Sequence, residues 1–440
     1  MLLIRQLIEN RQSHREVYSL NLVYTKHESM KRLLILGAGT AGTMMANHMV
    51  KKLPKKEWEI TIVDQYKTHY YQPGFLFLPF DIYKTKDVKK KGEKYIPKGV
   101  DYKLQKIHKI VADKNEVILE NETISYDLLI IATGTKIFPG ETEGMNGKGW
   151  HKDIFDFYTY EGAKALRNKL RDWKGGKLVV HITEMPIKCP VAPLEFAFLA
   201  DSFFKNKRMR DKVDITYVTP LEGAFTKPKA TEALDYLLEE KNIKQVVDFN
   251  IEKVDNETKK IKCYSGREVQ YDLLVTVPTN LGDQLIERSG LGDDMNFVPT
   301  HKATLQSKDY ENIFVIGDAS NLPASKAGSV AHFEAEILED NLLRYIDGKP
   351  LKEEFDGHSN CFIETGNGKA LLIDFNYTHE PVLGSFPFPG IGPLKLLRET
   401  RMNHIGKLAF RWIYWNMLIK GTHIPFVSAT MSEKGKNFEK

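Results

Sequence analysis

The stretch KRLLILGAGTAGTMMANHMVKKL, residues 31–53, leaves few folds open. An apolar run of strand type enters a glycine turn and leaves it as a helix-type pattern. Gly37, Gly39 and Gly42 stand at GxGxxG spacing, with Ala41 inside the motif. The first glycine permits a tight turn, the second lets backbone approach a pyrophosphate, and the third lets the helix pack on the strand. The helix start then turns free N–H groups toward the anion. A second strand, WEITIVD, ends in Asp64, 22 residues beyond Gly42, about where an acid binds a ribose hydroxyl. This opening predicts an α/β fold built on a parallel sheet. At 440 residues the chain is long for one core, so two such units and an appendage are expected.

Two later stretches decide which nucleotide the first unit takes. YDLLIIATGTK, residues 126–136, is an apolar strand running into Thr133 and Gly134, and NIFVIGDASNLP, residues 312–323, ends its strand in Gly317 and Asp318. These resemble the two signatures of flavoproteins with two dinucleotide-binding domains. The resemblance implies FAD, with Asp318 on its ribityl chain and Thr133 and Gly134 near its flavin and phosphates. The expected arrangement gives residues 30–150 and 278–350 to the FAD domain. Residues 151–277 go to a second Rossmann-like domain, and 351–440 to a C-terminal region.

The second domain should carry its own glycine loop after the strand-like KLVVHI. The loop found there, TEMPIKCPVAP, residues 183–193, has three prolines and no glycine. Proline removes donor N–H groups, so this unit is not expected to hold a nicotinamide nucleotide in the usual way. The loop instead carries Cys189, at the carboxyl end of a strand, where open α/β sheets place their ligands. The helix that follows should lower the thiol pKa. Cys361, 172 residues away in CFIETGNGKALLIDFNY, precedes a strand and a TGNG turn. Cys263 reads as an ordinary strand residue.

The stretches HYYQPG (69–74), PIKCPVAP (186–193), GDASNLPASKAG (317–328), CFIETGNGKALLIDFNY (361–377), SFPFP (385–389) and YWNMLIKG (414–421) together resemble the sulfide:quinone oxidoreductases. The likeness is to their two-cysteine branch, since TGTKIFPGETEGM lacks the additional cysteine of other branches. It implies that Cys189 and Cys361 form a disulfide or sulfur-bridged link on one face of FAD. Hydrosulfide would open that link, leaving the sulfane sulfur on Cys361 and a thiolate on Cys189 facing the flavin. A thiol, sulfide or sulfite would accept the sulfur, and a quinone the electrons. Gln72 and Ile107 join the cofactor-binding set, and Lys326 is expected near the polar edge of the flavin. The rival readings are an NADH:quinone oxidoreductase of the same fold, a sulfide dehydrogenase coupled to a cytochrome, and a flavin sensor without turnover.

Composition narrows the partners. A net charge of +5 with no recognition motif gives no reason to expect nucleic acid, and KTKDVKKKGEK, residues 84–94, reads as an exposed loop. Three cysteines at this spacing make neither a secreted disulfide framework nor a zinc site. Residues 1–29 look irregular, and Met30, just before the first strand, is expected to be the true start. No apolar run is long enough for a transmembrane helix, and no signal peptide is visible. The C-terminal LKLLRETRMNHIGKLAFRWIYWNMLIKG predicts a pair of amphipathic helices in a membrane interface. Ile405, Leu408, Ala409, Trp412, Trp415 and Ile419 would lie on the apolar side, with Lys395, Arg398, Arg401, Lys407, Arg411 and Lys420 adding charge. The expected location is peripheral, on the cytoplasmic face of a membrane; a homo-oligomer stays open.

Overall fold

The computed structural model describes residues 30–388, 390–425 and 427–438. Two five-stranded sheets form its frame. The first runs Ile313–Val315, Leu128–Ile131, Lys31–Leu36, Trp58–Asp64, Val100–Leu104, with every pairing parallel. The second runs Ile154–Phe155, Leu273–Val277, Gly176–Ile182, Val213–Val218, Lys244–Val246, again parallel throughout. Both are Rossmann-like, with the strand before the nucleotide loop at the centre. Their strands are apolar at successive positions: Leu33 to Leu36, Leu128 to Ile131 and Leu273 to Val277 are all buried. Such runs need cover on both faces, which crossover helices supply. The proposed extension, 1–29, lies outside the described residues; the first strand opens at Lys31.

The C-terminal region adds a four-stranded sheet in the order Ser359–Gly366, Lys369–Phe375, Leu394–Leu396, Gly384–Phe386. The TGNG stretch turns as expected, with Gly366, Asn367 and Gly368 all at positive φ. A Cβ on Gly366 would come within 2.8 Å of the Phe198 carbonyl oxygen, so the hairpin lies close against the helix Ala192–Asn206. Asn367 N donates to Ser202 Oγ and Glu364 N to Glu195 Oε1 across the same contact. This contact brings the Cys361 strand to the helix that follows Cys189.

The expected amphipathic pair is a single helix, Arg401–Asn416, followed by one short turn, Leu418–Lys420. Thr400 caps its start by accepting from Asn403 N. Trp415 and Ile419, expected on the membrane-facing apolar side, are buried. HYYQPG supplies the reason: His69 and Tyr71 form an aromatic socket for the inner face of the helix. Tyr414 Oη lies 2.7 Å from both His69 Nε2 and Thr40 Oγ1, and its ring centroid is 4.7 Å from that of Tyr71. Trp415 Nε1 donates to the Asp87 carbonyl. Only the outer face is free, with Met402 46%, Ile405 56% and Trp412 62% exposed. Among the described residues no helix is long and apolar enough to cross a membrane.

Candidate active site

Four neighbouring strands of the first sheet deliver the first nucleotide site at their carboxyl ends. Gly37, the Thr133–Gly134 turn and Gly317–Asp318 follow three of them closely, and Asp64 ends the fourth. A Cβ on Gly37 would meet the Ala132 carbonyl oxygen at 2.5 Å, and one on Gly42 the Gly37 carbonyl oxygen at 1.9 Å. One on Gly39 would meet nothing within 4 Å. Two glycines are thus demanded by protein packing, while the second leaves open space beside backbone. The helix Thr40–Lys52 has no side-chain cap, so its first-turn N–H groups are left for an anion. Gly317, at φ +70, approaches the Ala41 side chain, its Cβ position 3.2 Å away. Asp64 is held by N–H donors from Ala38 and Tyr66.

Cys189 lies in the left-handed region at φ 48, in the loop between Gly176–Ile182 and Ala192–Asn206. The loop is stitched to the segment after Asp318: Cys189 N donates to the Lys326 carbonyl at 2.7 Å, and Lys188 and Lys326 form a parallel bridge. Tyr158 Oη donates to the Cys189 carbonyl, and Lys188 Nζ to Gln72 Oε1. Cys361 is on the strand Ser359–Gly366. Both thiols are unbonded and half-buried, and Cys361 enters the electrostatic surroundings of Cys189. Cys263 is buried at a strand end beside Ser265, a structural position.

Residues 31–335 match the pyridine nucleotide-disulphide oxidoreductase family. The chain belongs to that family. It is 27% identical over 90% of its length to the mitochondrial sulfide:quinone oxidoreductase of Dictyostelium discoideum, covering 87% of that protein. Its identity to the Mus musculus enzyme of the same name is 26% over 88%, covering 86% of that protein. The crystal structure of the sulfide:quinone oxidoreductase from Aquifex aeolicus superposes with a TM-score of 0.73 at 21% identity, over 89% of this chain and 92% of that one.

The family's cofactor is FAD, and the residues present fit it. Thr133 Oγ1 is buried without a hydrogen-bond partner among the described residues, at the strand end facing the glycine turn. The Asp318 carboxyl sits in the turn Gly317–Ala319, ten residues before the next long helix, so it does not cap that helix. Burial raises its pKa, with Lys326 and Lys188 pulling it back. Ile107 opens a separate antiparallel strand and packs half-buried against the smaller apolar core. Lys326 is held within the signature segment itself. Its ammonium donates to the Asp318 and Ser320 carbonyls and stands 4.0 Å over the Phe297 ring. It ties the signature turn together, because a buried cation must take the nearest acceptors. We expect Gly42→Val to lose the cofactor and much of the folded protein; the flavin-to-protein absorbance ratio after purification checks this.

Cys189 reverses the sequence expectation. Burial pushes Cys189 well up, and the Glu195 carboxylate on the following helix adds to the shift. These outweigh the helix N-terminus. Cys361 is pushed up to about 12 by burial, with Lys407 acting against it. Glu195 and Lys407 are the site residues that sequence reasoning missed; Lys407 was read as interfacial charge. Lys407 Nζ donates to Glu195 Oε1 at 2.6 Å and to the Phe362 carbonyl at 2.8 Å. Glu195 is fully buried, and its Oε2 has no hydrogen-bond partner among the described residues. Burial raises the Glu195 carboxyl. It also works against the charge of Lys407, but Glu195 and Cys189 hold that ammonium above its usual range. Glu364 closes the cluster, accepting from His404 Nδ1. In the reduced protein, alkylation of Cys361 should keep rising about ten-fold per pH unit between pH 8 and 10. An ordinary thiol levels off once it is fully ionised, at a pKa near 8.5. A plateau near pH 9, measured by mass spectrometry, would contradict the buried site.

Proposed function

We propose that this chain is a sulfide:quinone oxidoreductase. The observation that carries the reading is the substitution of a cysteine loop for the second nucleotide loop, with that loop fastened to the flavin signature. Cys189 N bonds to Lys326 O, eight residues beyond Asp318. Prolines 186, 190 and 193 remove backbone donors where a nicotinamide pyrophosphate would need them.

In the proposed reaction, hydrosulfide attacks a Cys189–Cys361 disulfide. A bond forms between its sulfur and that of Cys361, and Cys189 leaves as thiolate, with no net electron transfer. The sulfane sulfur then passes from Cys361 to a thiol, sulfide or sulfite, which frees the second thiolate. Closing the two thiolates to a disulfide releases two electrons. FAD bound beside Thr133, Gly134 and Asp318 would supply the two-electron carrier between the thiolates and a quinone. Lys407 lowers the cost of each thiolate, and Glu195 fixes Lys407 in place. Charge pairs in such a dry site act strongly.

The protein attaches peripherally, on the cytoplasmic face of a membrane in this reading, through Met402, Ile405 and Trp412 on the outer face of the C-terminal helix. Anaerobic sulfide should bleach the flavin within the mixing experiment, and a quinone analogue should restore the oxidised spectrum. NADH should leave the spectrum unchanged. Bleaching by NADH and none by sulfide would replace this reading with the nicotinamide-dependent one.

A further inference from the structure

The lysine-rich run 84–94 is more ordered than a solvated loop. Lys89–Lys91 forms a strand paired with Thr68–Tyr70, and all three lysines are exposed. Lys90 Nζ lies 4.4 Å from the ring centroid of Trp415 and 5.9 Å from that of Tyr95. The run is thereby pinned to the flank of the C-terminal helix.

Cations gather there faster than counter-charges. Besides burial, Lys420, Lys94 and Arg411 all work against the charge of Lys90. Asp87 and Glu93 each lie three residues from Lys90 in the chain, and Arg411 Nη1 engages Asp87 at 3.3 Å. Glu93 is the single acid between residues 88 and 94. Beside the cluster runs the exposed stripe of Met402, Ile405 and Trp412. At about 100° per residue, Trp415 and Arg411 lie roughly 60° and 100° round the helix from Trp412. The cationic edge therefore borders the apolar stripe.

We propose that this edge, formed by Lys90, Lys94 and Lys420, binds the anionic headgroups of a phospholipid bilayer while the adjoining stripe enters its interface. Apolar groups next to cations match the two layers of such a surface, acyl chains and phosphate. Nucleic acid would satisfy the lysines but leave the stripe in water. The inference rests on the peripheral-membrane reading above. It goes further by naming the lipid class and by placing part of the determinant, Lys90 and Lys94, outside the C-terminal region.

The test uses the full-length, FAD-loaded protein, co-sedimented with vesicles of phosphatidylcholine alone or mixed with phosphatidylglycerol. Mixed vesicles should bind it at least about ten-fold more tightly, with the gain falling as salt rises. The K90Q/K94Q/K420Q variant should lose most of that gain, at roughly 5-fold per lysine. Its binding to neutral vesicles and its sulfide-dependent reduction of a soluble quinone should stay as they were. Equal binding to the two vesicle types, or an unchanged preference in the triple variant, would overturn the inference and leave the membrane reading intact. Binding to neither vesicle would remove both.

Discussion

Cys361→Ser and Cys189→Ser enzymes should each keep their flavin and lose sulfide-dependent quinone reduction by at least about a thousand-fold. Losses of this size are ordinary when a covalent nucleophile is removed. The expectation follows from the chemistry: each sulfur makes or breaks a bond in every cycle, and serine can neither form the disulfide nor carry a sulfane sulfur. Folding should survive. Both side chains are half-buried and the swap is nearly isosteric. Flavin content and quinone reduction are read on the same preparation, and Cys263→Ser serves as the control. Near-normal turnover in either single variant would end the two-thiol mechanism, whatever the fate of the fold.

Lys407→Met should cost both stability and reactivity. It strips the cation from Glu195 Oε1 and leaves only the Glu364 N–H there, on a side chain with no exposure to water. Removing one member of a buried ion pair typically costs about 3–5 kcal/mol, enough to lower the melting temperature by several degrees. The thiols should suffer separately. Lys407 draws both pKa values down, so without it the thiolates become scarcer and alkylation slows at a given pH. The double variant K407M/E195L divides the two effects. An apolar pair restores much of the stability but cannot restore the cation beside the sulfurs, so the melting temperature should recover and turnover should not. An unchanged melting temperature in the single variant would show that the pair is not the buried structural element described above.

The fold was largely legible because its signals are local. GxGxxG spacing is a statement about how near a helix may come to a strand, and a Cβ on Gly42 would meet the Gly37 carbonyl oxygen at 1.9 Å. Parallel strands announce themselves by unbroken apolarity, since both faces are covered. The C-terminal helix was only half legible. Its periodicity shows an apolar side, yet Tyr414 and Trp415 turned out to fill the socket of His69 and Tyr71, while Trp412 faces outward. Periodicity reports which residues avoid water, not whether protein or lipid replaces it.

The sequence by itself determined the two nucleotide-type units, the loss of the second glycine loop and the presence of two thiols able to stand in for it. Only tertiary structure decided what those thiols are. Cys361 reaches the Cys189 helix through the hairpin turn at Gly366, which lies against Phe198. Lys407 comes to Glu195 from 212 residues further along the chain. A helix N-terminus predicted an acidic thiol; desolvation and a neighbouring carboxylate made a basic one. Charge and burial act through space, and the linear chain does not record which groups will share it.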